Sequence, residues 1–195
     1  MNLYFSFLMR LFYLFSFFIL LVLSSYNAAS QTVVFELKTS PNIVFDFNTI
    51  QEYENGITYM NAATLNISTT DRFDLYVGAT TTAVGMWDVN NTYSLIGDPP
   101  TVDMVQLQLR NANSTSQMVG FFPLQDILTP TYIIGSNVKP DALINCPVNG
   151  TNAPGDYLVT PSCYKFNVDL RIVPGFTYQS GLYELRIDYV IISDL

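Results

Sequence analysis

The chain contains no histidine. This absence excludes Ser-His-Asp and Cys-His triads, histidine-ligated zinc and general base catalysis by imidazole. It also excludes a histidine-based pH switch near neutral pH. No other catalytic set of residues stands out, so we expect a protein that is not an enzyme, with no catalytic, cofactor-binding or metal site.

Basic residues are also scarce. Eight Lys and Arg stand against sixteen Asp and Glu, which gives a net charge of −8. A surface with this charge repels phosphate backbones, so binding to nucleic acid is not expected. It also lacks the basic patch that attracts a protein to anionic lipid.

Cysteine is limited to two residues, Cys146 and Cys163. Their spacing is too wide for a C-x-x-C redox motif, and no histidine is present to complete a zinc site. In an oxidising compartment the pair predicts a disulfide. Closing a loop of this size stabilises the folded chain by about 3 kcal/mol in the chain-entropy model.

The segment before Gln31 carries a single charge, Arg10, followed by an apolar run over 11–23. This run has the length of the apolar part of a secretory signal, and it is shorter than the about 20 residues that span a bilayer. Small residues up to Ser30 resemble a signal-peptidase site. We therefore predict a cleaved signal peptide over 1–30 and a secreted or cell-surface protein, which would cross the periplasm in a bacterial cell. An uncleaved membrane anchor is the alternative.

Alternation of apolar and polar residues dominates after the signal. It predicts strands that bury one face, over 32–37, 43–48, 63–68, 72–78, 104–109, 165–172 and 183–192. In the last of these, Tyr183, Leu185, Ile187 and Tyr189 share one face. No segment has a sustained helical period, and only 125–128 suggests one helical turn.

Many short strands with turn residues between them predict an all-β fold, an antiparallel sandwich over 31–195 that forms one domain. A barrel or jelly roll is the alternative architecture. Two longer and more polar stretches, 80–101 and 129–162, are expected to be elaborated loops, where binding sites are common.

Trp87 is the only tryptophan, and it precedes an Asx-rich stretch that ends at Tyr93. These two aromatic residues are candidate contacts for a glycan. The structural alternative is a core-packing tryptophan beside an Asx-rich turn. A glycosidase would need two carboxylates that converge in a cleft, whereas most acids of this chain fall on the outward faces of predicted strands or in turns.

Two segments carry a resemblance to a known family. One, 65–77, is a strand, a short polar turn and the sequence Phe-Asp-Leu-Tyr-Val; the other, 181–189, begins Gly-Leu-Tyr and runs into the last strand. Together they resemble the immunoglobulin-like β-sandwich subunits of bacterial fimbriae and related surface filaments. Phe73 stands where such domains often have tryptophan, and Ile187 replaces a valine. The resemblance rests on these two segments, which contain 22 of the 165 residues over 31–195.

The resemblance implies a non-enzymatic structural or adhesive subunit that associates with itself or with a protein partner by β-strand pairing. The first strand of the mature chain would either be donated to a neighbour or pair within its own sheet. A carbohydrate-binding module with a surface glycan as ligand is the alternative function, and a carboxylate-based glycosidase is a further one. No membrane span is expected after signal cleavage.

Overall fold

Strands make up most of the residues that the structure describes. The computed structural model describes residues 33–39, 42–69, 73–110, 120–135 and 165–193, which belong to one compact unit, Thr32–Leu195. The strands are β1 (Val33–Thr39), β2 (Ile57–Thr69), β3 (Phe73–Thr80), β4 (Asp88–Thr92), β5 (Val105–Arg110), β6 (Phe122–Pro123), β7 (Thr131–Ile134), β8 (Lys165–Ile172), β9 (Gly181–Glu184) and β10 (Arg186–Ser193). One α-helix, α1 (Ile50–Asn55), and one 3-10 turn (Val102–Met104) accompany them.

The strands form three sheets. The larger sheet has the order β1-β2-β8-β5-β6, the smaller sheet β10-β3-β7, and β4 pairs with β9. All of these pairs are antiparallel. This arrangement confirms the predicted all-β, sandwich-like class.

The core lies between the larger and smaller sheets. Alternation places Val105, Leu107 and Leu109 of β5 inside, with the polar residues between them less buried. The side chains with no exposed surface include Leu65, Ile67, Phe73, Leu75, Val77, Leu107, Leu109, Phe166 and Val168. Burying each such Leu or Phe stabilises the fold by about 1.5–3 kcal/mol, so these residues hold the two sheets together.

The pairing of β3 with β10 ends close to the place where the pairing of β4 with β9 begins. β3 ends at Thr80 opposite Arg186 of β10, and β4 begins at Asp88 opposite Glu184 of β9. Between them the chain makes an excursion over 81–87, within the part predicted to be a loop. β4 itself was missed, because its sequence Asp-Val-Asn-Asn-Thr has little apolar character.

The ion pair between Asp169 of β8 and Arg110 departs from the alternation of buried apolar and exposed polar residues. Alternation puts Asp169 on the outward side of its strand, yet the residue has no exposed surface. Arg110 donates to both of its carboxylate oxygens, from Nε at 2.6 Å and from Nη2 at 2.8 Å. The backbone N–H of Asn61 donates to Asp169 as well, at 2.7 Å. Three donors therefore compensate the burial of this carboxylate.

The first strand pairs within its own sheet. β1 runs antiparallel to β2, with Val33 opposite Thr69 and Thr39 opposite Ala63. Of the two predicted arrangements, this is the intramolecular one. β1 is the outermost strand of the larger sheet, so its second backbone edge has no strand neighbour among the described residues.

The two cysteines, Cys146 and Cys163, lie outside the described residues, as do the predicted signal peptide and most of the predicted loop over 129–162. Of the residues that the structure does describe, none belongs to a helix with the length and apolar character needed to cross a bilayer.

Candidate functional site

A cleft of about 740 Å³ lies between the larger and smaller sheets. Core residues of the larger sheet, such as Ala63 and Leu170, form its floor. Ile187 and Tyr189 of β10 form the opposite wall. We call this space the aromatic cleft, because rings contributed by several elements line it. These rings belong to Phe45, Phe47, Tyr53, Trp87, Tyr178, Tyr183 and Tyr189.

One side of the aromatic cleft is covered by an extended segment, residues 42–48, which we call the strap. Alternation there predicted a strand, and this prediction was wrong because the strap joins no sheet in the described structure. The alternation is nevertheless real: Ile43, Phe45 and Phe47 are half-buried against the core, and the residues between them are exposed. Alternation indicates only that one face of a segment is buried. In the strap this face packs on other side chains, and the backbone does not join the hydrogen-bond ladder of a described sheet.

Aromatic contacts hold the strap in place. The ring of Phe45 meets that of Tyr59 edge-on, with centroids 4.9 Å apart, and the Tyr59 hydroxyl donates to the Val44 carbonyl at 2.8 Å. Phe47 contacts Tyr53 at 5.4 Å, and Tyr53 stacks on Phe176 at 5.7 Å. Such pairs add about 0.5–1.5 kcal/mol each beyond area burial, so the strap is fixed without ladder hydrogen bonds.

The strap runs directly into α1, which the sequence reasoning missed. Thr49 and Glu52 form a capping box, in which Glu52 accepts hydrogen bonds from the backbone N–H groups of Asn48 and Thr49 at 2.7 and 2.8 Å. These two bonds lower the pKa of Glu52. The pattern Thr-x-x-Glu is a known signal of a helix start and would have located this short helix.

Gly56 ends α1 and returns the chain to β2. Its φ of +76° lies in the region that favours glycine, and a Cβ there would stand 2.3 Å from the carbonyl oxygen of Ile172. Ile172 lies in the floor of the aromatic cleft. The close approach at Gly56 thus anchors the strap and α1 against the strand that forms this floor.

The opposite wall is the inward face of β9 and β10. Tyr183, Leu185, Ile187 and Tyr189 all line the aromatic cleft and are half-buried, whereas Glu184 and Arg186, which also border the cleft, are exposed. The Tyr183 hydroxyl donates to the Gln179 carbonyl at 2.9 Å. β9, β10 and Leu185 between them therefore supply four half-buried lining side chains.

Tyr189 has the most distinctive environment in this wall. Desolvation raises the pKa of its hydroxyl far above the ordinary value of 10.0. No described residue makes a hydrogen bond with this hydroxyl. A phenol in this position is a polar group in the wall of the cleft that has no hydrogen-bond partner among the described residues.

The two predicted glycan contacts lie in different places. Trp87 lines the aromatic cleft and packs against the core, and its indole N–H donates to the Thr101 carbonyl at 2.9 Å. Tyr93 is 63% exposed and does not line the cleft. The structure therefore does not bring these two rings together on one binding surface.

A smaller groove of about 480 Å³ lies where β3 and β10 give way to β4 and β9. Asp88 and Glu184 face each other across the strands and both line this groove. Asp88 accepts a hydrogen bond from the Thr82 N–H at 2.8 Å. Nowhere in the described part of the chain do three or more acidic or cysteine side chains gather in a way that would hold a metal ion.

Comparison with protein-family models and with curated proteins finds no match to this chain. The function must therefore be inferred from the chemistry and geometry of the molecule itself.

Proposed function

We propose that this protein is an exported, non-enzymatic β-sandwich with a structural or adhesive role, of the kind found in fimbrial and other surface-filament subunits. In this proposal it associates with a second copy or with a protein partner by strand pairing at the outer edge of β1. The observation that supports it most directly is the position of β1, which is the outermost strand of the larger sheet and which, within the described residues, pairs with another strand on one side only.

The outer edge of β1 is suited to controlled pairing. An unpaired strand edge presents a row of N–H and C=O groups that another strand can complete. Glu36 and Lys38 form an ion pair on this strand at 3.2 Å, and both are largely exposed. Charged side chains on an edge strand disfavour indiscriminate aggregation. Because Val33–Thr39 is already paired with β2, the proposed partner adds a strand to β1 and does not receive one from it.

Sedimentation velocity over a range of concentrations tests this proposal. Hydrogen exchange should show added protection of β1 amides in the associated state, and the amides of β10 serve as the comparison edge. Leu37→Lys places a charge on the inward face of the edge strand and should weaken association at least tenfold. Val44→Lys makes a similar change on the strap and should leave association unchanged. A strictly monomeric protein, or protection confined to β10, would refute pairing at β1.

Carbohydrate binding is a second candidate, favoured by the place of the only tryptophan in the wall of the aromatic cleft. Retention on a glycan array that is lost in Trp87→Phe but kept in Tyr93→Phe would support stacking of a sugar inside the cleft. An array with no retained glycan would eliminate this candidate.

A further inference from the structure

We propose that the aromatic cleft binds one small molecule that is neutral and largely apolar, and that the Tyr189 hydroxyl donates a hydrogen bond to an oxygen acceptor of this ligand. This site goes beyond the strand pairing proposed above and lies at different atoms, since pairing uses the backbone of β1 and the ligand uses side chains between the sheets. Either can be present without the other.

Size and lining support a small-molecule site. Binding pockets for small molecules usually measure roughly 300–1,000 Å³ and are lined mainly by apolar and aromatic side chains with a few polar groups. At about 740 Å³ the aromatic cleft falls within this range. Ile43 and Phe45 of the strap face Ile187 and Tyr189 of β10 as parts of one lining. The space is therefore bounded on both sides by side chains that favour an apolar occupant.

Several polar side chains of the lining are already hydrogen-bonded within the protein. Trp87 donates to Thr101, Tyr183 to Gln179, and Thr39 to the Ala62 carbonyl at 3.2 Å. The Gln179 amide donates to the carbonyl of Ser94. A sugar needs many free donors and acceptors around its hydroxyl groups, and these bonds remove several of them. The remaining polar side chains, among them Asn42, Tyr53 and Tyr178, are fewer than the apolar side chains of the lining. The lining as a whole therefore favours an apolar ligand over a carbohydrate.

Tyr189 supplies a donor in the wall of the cleft that belongs to β10. Its side chain is half-buried there, and its hydroxyl has no hydrogen-bond partner among the described residues. A carbonyl or ether oxygen in the ligand would accept a hydrogen bond from it. Like any tyrosine hydroxyl it is protonated at neutral pH, so it is a donor under ordinary conditions.

Charge decides between a neutral and an anionic ligand. Glu184 and Arg186 are the only charged residues among the described residues that line the aromatic cleft. Arg186 is largely exposed and is already paired with Asp188 at 2.9 Å. No cation is therefore available inside the cleft for a carboxylate or phosphate, and the net charge of −8 opposes an anion further. An ester, ketone or ether of an apolar molecule fits where a fatty acid anion does not.

Ligand binding can be followed by tryptophan fluorescence, because the only tryptophan of the chain, Trp87, lines the cleft. The full chain should be expressed with its own leader, purified after export and titrated with N-phenyl-1-naphthylamine, a neutral apolar dye. Energy transfer from Trp87 to the dye should saturate at one dye per chain. A long-chain methyl ester should displace the dye at least tenfold better than the corresponding carboxylate at neutral pH, and soluble oligosaccharides should not displace it.

Two matched pairs of variants locate the ligand. Tyr189→Phe removes only the hydroxyl and should weaken ester binding roughly three- to tenfold, whereas Tyr76→Phe, on the outward face of the neighbouring strand, should not. Ile187→Phe fills the cleft and should weaken dye binding at least tenfold, whereas Val190→Phe changes the other face of the same strand and should have no effect. Thermal melting identifies any variant that fails to fold, and the nearly isosteric Tyr189→Phe keeps the test decisive in that case.

Three results would overturn the proposal. The first is a dye signal that does not saturate. The second is displacement by the carboxylate or by a sugar as good as displacement by the ester. The third is ester binding that Tyr189→Phe leaves unchanged.

Discussion

β3 and β10 lie side by side in the smaller sheet, yet they bury the same kind of residue to different depths. On β3, Leu75, Val77 and Ala79 have no exposed surface. Their partners on β10 are Ile191, Tyr189 and Ile187, and all three remain half-buried. β3 is the central strand of its sheet, whereas β10 is an edge strand beside the aromatic cleft.

This difference shows that position in the sheet sets the depth of burial, while alternation sets only its direction. Both strands direct apolar side chains inward at every second residue. The central strand meets the core of the larger sheet there, and the edge strand faces the cleft. The same sequence pattern thus builds a packed interior in one place and the wall of a candidate binding site in the other.

Truncation of a core side chain is expected to have the largest effect on the free energy of unfolding. Leu75→Ala on the central strand should lower the free energy of unfolding by about 2–5 kcal/mol, because the buried side chain leaves a cavity. Ile187→Ala on the edge strand should cost at most about half as much, because its side chain already borders open space. Urea denaturation of both variants measures the two losses. Equal losses would mean that the edge strand is as tightly packed as the central one.

A second test compares ion pairs on a central and an edge strand. Asp169→Asn on β8 should destabilise the protein by about 2 kcal/mol, since it weakens a buried network of three donors. Lys38→Gln breaks the exposed pair on β1 and should change the free energy of unfolding by less than about 0.5 kcal/mol. Chemical denaturation at low and high salt should show screening only for the β1 pair.

A third and smaller effect concerns the strap beside the edge strands. Thr49→Ala removes the side-chain acceptor of the α1 cap and should cost about 1 kcal/mol. Thr82→Ala, on an exposed turn, is the matched change and should be neutral. Hydrogen exchange of the α1 amides should accelerate only in Thr49→Ala. Unchanged exchange there would show that aromatic contacts alone hold the strap.

The smallest expected effect appears only at alkaline pH. The pKa of Tyr189 is raised in the folded state, so the folded protein holds this proton more tightly than the unfolded chain does. The associated stability is present below the ordinary tyrosine pKa of about 10 and is lost as the pH rises above it. Between about pH 9 and about pH 11 the melting temperature of the native protein should therefore fall more than that of Tyr189→Phe. Parallel curves would place the Tyr189 hydroxyl in water.

Alternation predicted β1, β3, β5 and β8 and part of β2, and it predicted β9 and β10 as one strand, whereas β7 lies in a stretch predicted to be a loop. It succeeded for the predicted strands because a period of two is a local property of the chain. It was wrong for the strap, where the buried face packs on side chains, and for Asp169, where a neighbouring arginine covers the outer face of the strand. In both cases the deciding contact comes from a residue distant in sequence.

The aromatic cleft could be predicted only in part. The sequence places Tyr189 on the inward face of the last strand, and no local pattern shows that this face borders open space. β4 was missed for a similar reason: its polar residues become a strand because β9 lies beside them. Pairing and cavities both depend on which elements meet, and this information is spread along the whole chain.

The irregularity in β2 has a consequence for how the larger sheet assembles. Between Tyr59 and Ala63 the pairing of β2 with β8 shifts, and Asn61 adopts a φ of +54° there while its N–H reaches Asp169. A strand of thirteen residues has several alignments open to it along its neighbour. A shift of the pairing by one residue would separate the Asn61 N–H from the Asp169 carboxylate that accepts its hydrogen bond. It would also turn the apolar face of the strand outward. The bulge therefore favours a single alignment of β2, the longest of the described strands, along β8.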